Sequence, residues 1–187
     1  MSPASDALRY RLATPADIPA LHKLIADAVL GLMPQYYTAH QLQHALGTWL
    51  GLDTQLIVDQ TYFVVEADDS NGAQRLIACG GWSKRKTPYG ADKSGAREDA
   101  LLDPAHDAAK IRAFFVHPDW ARRGIGSGLL ALSEGAARAY GFARAEMGAT
   151  LSGVPLYQAK GYRETSQVAL PLEGGDGLVV VLMGKDL

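Results

Sequence analysis

His117-Pro118-Asp119-Trp120-Ala121-Arg122-Arg123-Gly124-Ile125-Gly126-Ser127-Gly128 joins a run of strand character, Lys110 to Val116, to a run of helical character, Gly124 to Tyr140. Glycines at a strand-to-helix junction let the backbone turn tightly and approach a ligand, because no Cβ intrudes. The unpaired N–H groups of the first helical turn then point outward, and the helix dipole favours an anion in front of them. Arg122 and Arg123 add positive charge at the rim, so a diphosphate is the natural guest of Arg122 to Ser127.

Three other readings compete for this stretch. Gly124 and Gly126 could simply pack a helix against a sheet. A P-loop needs a Gly-Lys-Ser/Thr ending and a four-residue spacer, and neither is present. A dinucleotide fold needs its first glycine in a tight turn directly after the strand. Here the seven residues from His117 to Arg123 intervene, which makes that reading the weaker fit, even though Glu146 lies near the position of a ribose-binding acid.

Outward from the junction, the second half of the chain alternates between strands and helices. Ile125, Leu129, Leu132, Ala136 and Tyr140 form the apolar side of the helix, and Gly141 is placed as its C-cap. Ala143 to Thr150 reads as a strand, Val154 to Lys160 as a short helix, Tyr162 to Leu172 as a strand, and Leu178 to Met183 as the closing strand. In the first half, Leu8 to Leu12 alternates as a strand. Thr14-Pro15-Ala16-Asp17 announces a helix with Ile18, Leu21, Leu24, Ile25 and Ala28 along one stripe. Thr38-Ala39-His40-Gln41 has the capping-box pattern, followed by Leu42, Ala45, Leu46 and Trp49 on the apolar side. Thr61 to Ala67 and Arg75 to Lys84 read as a hairpin around a turn at Asp68-Asp69-Ser70-Asn71-Gly72. Residues 86–109 are polar and glycine-rich, and too long for an ordinary connection, so they read as an insertion. The sum is one domain over residues 1–187, of α/β (α+β) class, with a mixed sheet covered by helices on both faces.

Composition narrows the function. The 187 residues are 48% apolar and 20% charged, with a net charge of −2, which gives no electrostatic footprint for nucleic acid. Cys79 is the only cysteine, so no disulfide framework exists within one chain, as befits a reducing cytoplasm. Met1 to Asp6 lacks the pattern of a signal peptide, and no apolar run is long enough to span a membrane. The expected location is therefore cytoplasmic. A homodimer is compatible with the sequence.

The run Ile111 to Leu130 resembles the acetyl-CoA motif of the GNAT superfamily: a strand, a short x-Pro segment, then Arg/Gln-x-x-Gly-x-Gly/Ala opening a helix. It departs at Ala121, where the family carries its first Arg or Gln, so charge comes only from Arg122 and Arg123. Thr150-Leu151-Ser152-Gly153-Val154-Pro155-Leu156-Tyr157-Gln158-Ala159-Lys160-Gly161-Tyr162 resembles the family's later block, with Thr150 and Gly153 replacing the usual Asn and Ala. The resemblance covers Lys110 to Tyr162 and implies a mostly antiparallel GNAT-like sheet.

It also implies an acetyl-CoA-dependent N-acetyltransferase, with no metal, that passes an acetyl group by direct attack to the amine of a small molecule or peptide. A non-catalytic acetyl-CoA sensor of the same fold is the alternative. The resemblance places the pantetheine along the backbone of Phe114, Phe115 and Val116 and the pyrophosphate on Arg122, Arg123, Gly124, Ile125, Gly126 and Ser127. Thr150 and Tyr157 would border the cofactor, and Tyr157 would protonate the departing thiolate. Glu146, which shares strand parity with Thr150, is the first candidate for a general base, and Glu66 the second. Tyr36, Tyr37 and Trp82 fall where the family builds its acceptor pocket, although Trp82 also suits a core. His117 lies beside the pyrophosphate loop, too far from the thioester for a base. His40 and His44 lack the Glu and third ligand of a zinc site. Asp103, His106 and Asp107 read as a solvated polar loop.

Overall fold

The computed structural model describes residues 8–68, 72–95 and 97–187. Strands β1 (Arg9–Leu12), β2 (Tyr62–Asp68), β3 (Gln74–Ser83), β4 (Ala109–Val116), β5 (Arg144–Thr150), β6 (Arg163–Pro171) and β7 (Gly177–Asp186) form one seven-stranded sheet in the order β1-β2-β3-β4-β5-β7-β6. Every neighbouring pair is antiparallel except β4 and β5. The helices are α1 (Ile18–Leu32), α2 (Ala39–Ala45), α3 (Thr54–Val58), α4 (Ile125–Tyr140) and α5 (Val154–Ala159). The expected mixed, mostly antiparallel sheet is what forms. Met1 to Asp6 and residues 69–71 of the expected hairpin turn lie outside the described residues.

Local chemistry sets the element ends. A 3-10 turn at Pro15–Asp17 precedes α1, and the Asp17 carboxylate accepts from the Thr14 N–H at 2.7 Å. The reciprocal box expected at Thr38 is present: the Gln41 N–H donates to Oγ1 of Thr38 at 3.2 Å, and the Thr38 N–H donates to Gln41 at 2.9 Å. That helix stops at Ala45 rather than reaching Trp49, because Leu46 is extended and Gly47 turns at φ +84°. Helix α3 was not anticipated. It is capped by Asp53, whose carboxylate accepts from the Gln55 N–H.

Two cores result, one on each face. Leu21, Leu24, Ile25 and Ala28 of α1 pack with α2 and α3 against Tyr62, Val64, Cys79 and Phe115. Ile125, Leu129, Leu130 and Ala137 of α4 pack with Tyr157 against Val65, Ile77, Trp82 and Met147. The expected stripe of α4 is rotated in the structure. Leu132 and Tyr140 are exposed, while Leu130, Ser133 and Ala137 are buried.

Two irregularities in β4 shape everything that follows. It pairs with β5 only at Ala109↔Ala145 and Lys110↔Glu146, so beyond Lys110 the two strands splay. A bulge against β3 lies between the Arg112↔Gly81 and Phe115↔Cys79 pairs, with Ala113 at φ +55°. The connection from β3 to β4 is tied back on itself through Thr87 N–H to Glu98 O (2.9 Å) and Leu102 N–H to Lys84 O (2.8 Å). It is docked on the α2–α3 segment through Ala91 N–H to Thr48 O (2.7 Å) and Asp92 N–H to Leu52 O (3.0 Å). Residues 84–95 and 97–108, the stretch expected as an insertion, thus form a flap over the splayed end of the sheet.

Candidate functional site

The splay leaves the facing backbone of Ile111–Val116 and Met147–Thr150 without β5–β4 partners. A cleft of about 710 Å³ runs from this opening to the start of α4, well within the range of ligand sites. Its walls include Phe114, Phe115 and Val116 on one side and Thr150, Gly153 and Tyr157 on the other, and Arg122, Gly124, Ile125, Gly126 and Ser127 close its far end. Sequence candidates from distant parts of the chain therefore meet in one place.

The far end is built for an anion. The first hydrogen bond of α4 runs from Gly128 N–H to Gly124 O at 3.0 Å, so the N–H groups of Ile125, Gly126 and Ser127 have no partner within the helix. Arg122 at φ +65° and Gly124 at φ +81° swing the chain into position. Gly126 serves another purpose: a Cβ there would stand 3.1 Å from Leu156 of α5, so its smallness brings α4 and α5 together. Arg123 does not line the cleft, and its guanidinium lies 4.7 Å from the centre of the Trp120 ring. Arg122 is the arginine at the wall, and Ala121 beside it adds none. These features, an N-terminal turn of free N–H groups next to a cation, fit a diphosphate.

At the near end, Tyr157 is 7% exposed and sits edge-on to Phe114 and Tyr162, with ring centroids 6.3 and 5.9 Å apart. Burial alone pushes its phenol well above the ordinary tyrosine range, so it stays protonated. Gly153, where the resemblance expects Ala, has a structural reason: a Cβ there would lie 2.9 Å from the Tyr157 ring. Thr150 shares a 3.1 Å hydrogen bond with Ser152 at the same rim.

The remaining candidates fall elsewhere. Glu146 pairs with Lys110 at the closed end of the β4–β5 contact and lines a separate hollow with Arg163 and Lys185. It stands four positions along the strand from Thr150, about 13 Å. Glu66 is held by Arg11 at 2.6 Å on the β1–β2 side of the sheet. Tyr36, 39% exposed, does reach the cleft rim near the end of α1. Tyr37 is buried, donating to Val179 O at 2.7 Å and accepting from the Leu151 N–H at 2.8 Å, so it pins the α1–α2 connection to β7 and the end of β5 instead of facing an acceptor. Trp82 lies in the α4-side core against Tyr140 and Phe142. His117 accepts from the Asp119 N–H and caps the turn before Arg122. His40 and His44 face Asp176 and Glu173 near the β6–β7 turn, and His106 closes a local turn with Asp103. Among the described residues no cluster of three or more such side chains is arranged to hold a metal.

A second, small cavity of about 70 Å³ opens from Tyr157 and Phe114 toward the flap, lined by Trp49, Tyr89, Arg112 and Gly148 among others. None of the four was a site candidate from the sequence. The available signal was Arg112, a charge inside an apolar strand. Arg112 is 3% and Asp53 2% exposed, and they pair at 2.9 Å. Burial pulls the guanidinium below its ordinary value while Asp53 opposes the shift. Among the described residues no carboxylate lines either cavity.

Residues 58–164 match the acetyltransferase (GNAT) domain family. No curated protein sequence matches the chain. Solved structures share its fold. A GCN5-related N-acetyltransferase of Rhodopseudomonas palustris aligns with TM-score 0.65 and 18% identity over 100% of this chain and 99% of that one. PaiA N-acetyltransferase of Thermoplasma acidophilum, in complex with coenzyme A, aligns with TM-score 0.62 and 12% identity over 97% and 99%. The yncA protein of Salmonella typhimurium, with its cofactor acetyl-CoA, aligns with TM-score 0.61 and 19% identity over 97% and 94%.

Proposed function

The chain belongs to the GNAT acetyltransferase family, and from that premise we propose that it transfers an acetyl group from acetyl-CoA to the amine of a small molecule or peptide. The observation that carries this reading is the single cleft joining the free N–H groups of α4, the unpaired edge of Phe114–Val116 and the Tyr157 phenol.

In this reading the first turn of α4 and Arg122 hold the pyrophosphate, and the splayed edge of β4 aligns the pantetheine by backbone hydrogen bonds. A backbone N–H near the bulge faces the oxygen that gains charge as the amine attacks. Tyr157, kept protonated by burial, donates its proton to the sulfur as the carbon–sulfur bond breaks. The attacking amine must first lose a proton. With Glu146 and Glu66 held outside the cleft, we assign this step to water at the cleft mouth, or to arrival of the amine as its free base.

The net charge of −2 supports an acceptor other than nucleic acid, and a cytoplasmic setting suits a chain with one thiol. Among the described residues no helix is long and apolar enough to cross a membrane. The alternative, an acetyl-CoA sensor, is favoured by the lack of a side-chain base. A CoA-release assay over a panel of primary amines separates the two. Release that requires an amine and falls in Tyr157→Phe supports the enzyme. Tight acetyl-CoA binding without release for any amine supports the sensor.

A further inference from the structure

The small cavity beside Tyr157 is bounded by one side chain of the flap, Tyr89, that neighbours hold on several sides. The Tyr89 ring packs against β5 at Gly148, where a Cβ would come within 2.9 Å of it. Its other side meets Trp49 edge-on, at 6.1 Å between centroids. Both flanks of Pro88-Tyr89 are fixed by one buried guanidinium. Arg112 donates to Thr87 O at 2.9 Å on the near side and to Gly90 O at 2.7 Å on the far side. Arg112 is itself anchored by Asp53, and Arg97 from the flap's return limb adds a 3.1 Å contact to the same carboxylate. A loop residue held this way is a wall, not a mobile cover.

The wall stands where an acceptor must come. The cavity shares Phe114, Phe115, Thr150 and Tyr157 with the large cleft, so it approaches the reacting end from the side opposite the diphosphate subsite. At about 70 Å³ it holds a few methylene groups and no ring system. Among the described residues no carboxylate lines it, and the one charged side chain at its edge, Arg112, is already paired. The cavity therefore offers neither a partner for a second ammonium nor a free cation for a carboxylate.

We propose that Tyr89 is the specificity-determining residue of the acceptor subsite, restricting acceptors to primary amines with a slender, uncharged alkyl stem next to the nitrogen. Arg112 is its positioning residue. This proposal rests on the acetyltransferase reading for the identity of the acceptor, but not for the existence of the subsite. Chemically the restriction is steric: a missing or added group in an apolar pocket changes selectivity by about 10- to 200-fold.

The test compares butylamine, cyclohexylmethylamine and naphthylmethylamine with wild type, Tyr89→Ala and Tyr89→Leu, in two arms. One arm measures CoA release from acetyl-CoA. The other measures calorimetric binding of each amine to CoA-saturated protein, which needs no turnover. The expected result is that wild type prefers butylamine, and that Tyr89→Ala raises the wide-to-slender ratio by about tenfold or more, with the Kd for acetyl-CoA unmoved. Tyr89→Leu, which retains bulk against Trp49, gives an intermediate ratio and covers the case in which Tyr89→Ala fails to fold. Gly148→Ala, which drives the ring inward, lowers the ratio. If release occurs but its width profile is the same in all variants, Tyr89 is not the wall and the transferase reading stands. If no amine is acetylated yet the binding ratio shifts as expected, the subsite stands and the transferase reading falls. Amine binding that ignores Tyr89, or no amine binding at all, overturns the proposal.

Discussion

Arg112 of β4 and Asp53 at the head of α3 form an ion pair at 2.9 Å with both side chains almost wholly buried. Removing Asp53 leaves the Arg112 guanidinium uncompensated in the interior, which costs about 3–5 kcal/mol, whereas removing Arg112 leaves Asp53 still paired with Arg97 at 3.1 Å. Asp53→Ala should lower stability by about that amount in denaturant titrations and Arg112→Ala by less, while the pair Asp53→Leu with Arg112→Met should recover much of the loss. Purely additive losses in the double variant would show that the pair is not coupled.

Tyr157 has a pKa raised by burial, and a general acid works only while protonated. Its alkaline limb in kcat should therefore lie above the ordinary tyrosine value of about 10. Tyr157→Phe should abolish that limb and lower kcat by about 10²–10⁴-fold, with the Kd for acetyl-CoA changed little. A variant with undiminished kcat would remove Tyr157 from the chemistry.

The diphosphate end depends on few side chains, because Arg123 is engaged with Trp120 and Ala121 stands where the family carries Arg or Gln. Arg122→Ala should weaken acetyl-CoA binding by about 1 kcal/mol, roughly fivefold. It should also flatten the salt dependence of that affinity. Equal salt slopes for variant and wild type would mean that Arg122 does not face the phosphates.

How much of this was legible in the chain follows from how local each feature is. The glycine turn, the Thr38 cap and Tyr157 announce themselves within a few residues, and the structure brings the loop and Tyr157 to one cleft. Glu146 alternates with the buried Ala145 and Met147 on β5, but it pairs with Lys110 away from the cleft. The strand separation at Lys110, which decides what lies inside the cleft, is a property of two segments at once. Tyr37 shows the same limit: its hydroxyl serves Val179 and Leu151, partners more than a hundred residues away. Trp49, Tyr89 and Arg112 come together only through the flap, whose polar composition conceals its packing.

Cys79 is buried beneath α1, and burial pushes its thiol up to about 12. An unfolded cysteine ionises near 8.5, so rising pH releases a proton from the unfolded chain first and favours unfolding. The stability from this group should be intact below about pH 8.5 and fall as pH rises toward 12. Native protein at pH 8 should resist thiol reagents until denaturant is added. Rapid labelling of the folded protein would place Cys79 at the surface.

The most direct measurement of the central claim is the fate of an isotopically labelled acetyl group. Protein is mixed with labelled acetyl-CoA and a slender primary amine, and the label is located by mass spectrometry. Direct transfer predicts label on the amine nitrogen, none bound covalently to the protein, and free CoA in equal amount. Label that stays on CoA while the complex remains tight, or that accumulates on the protein, would contradict it.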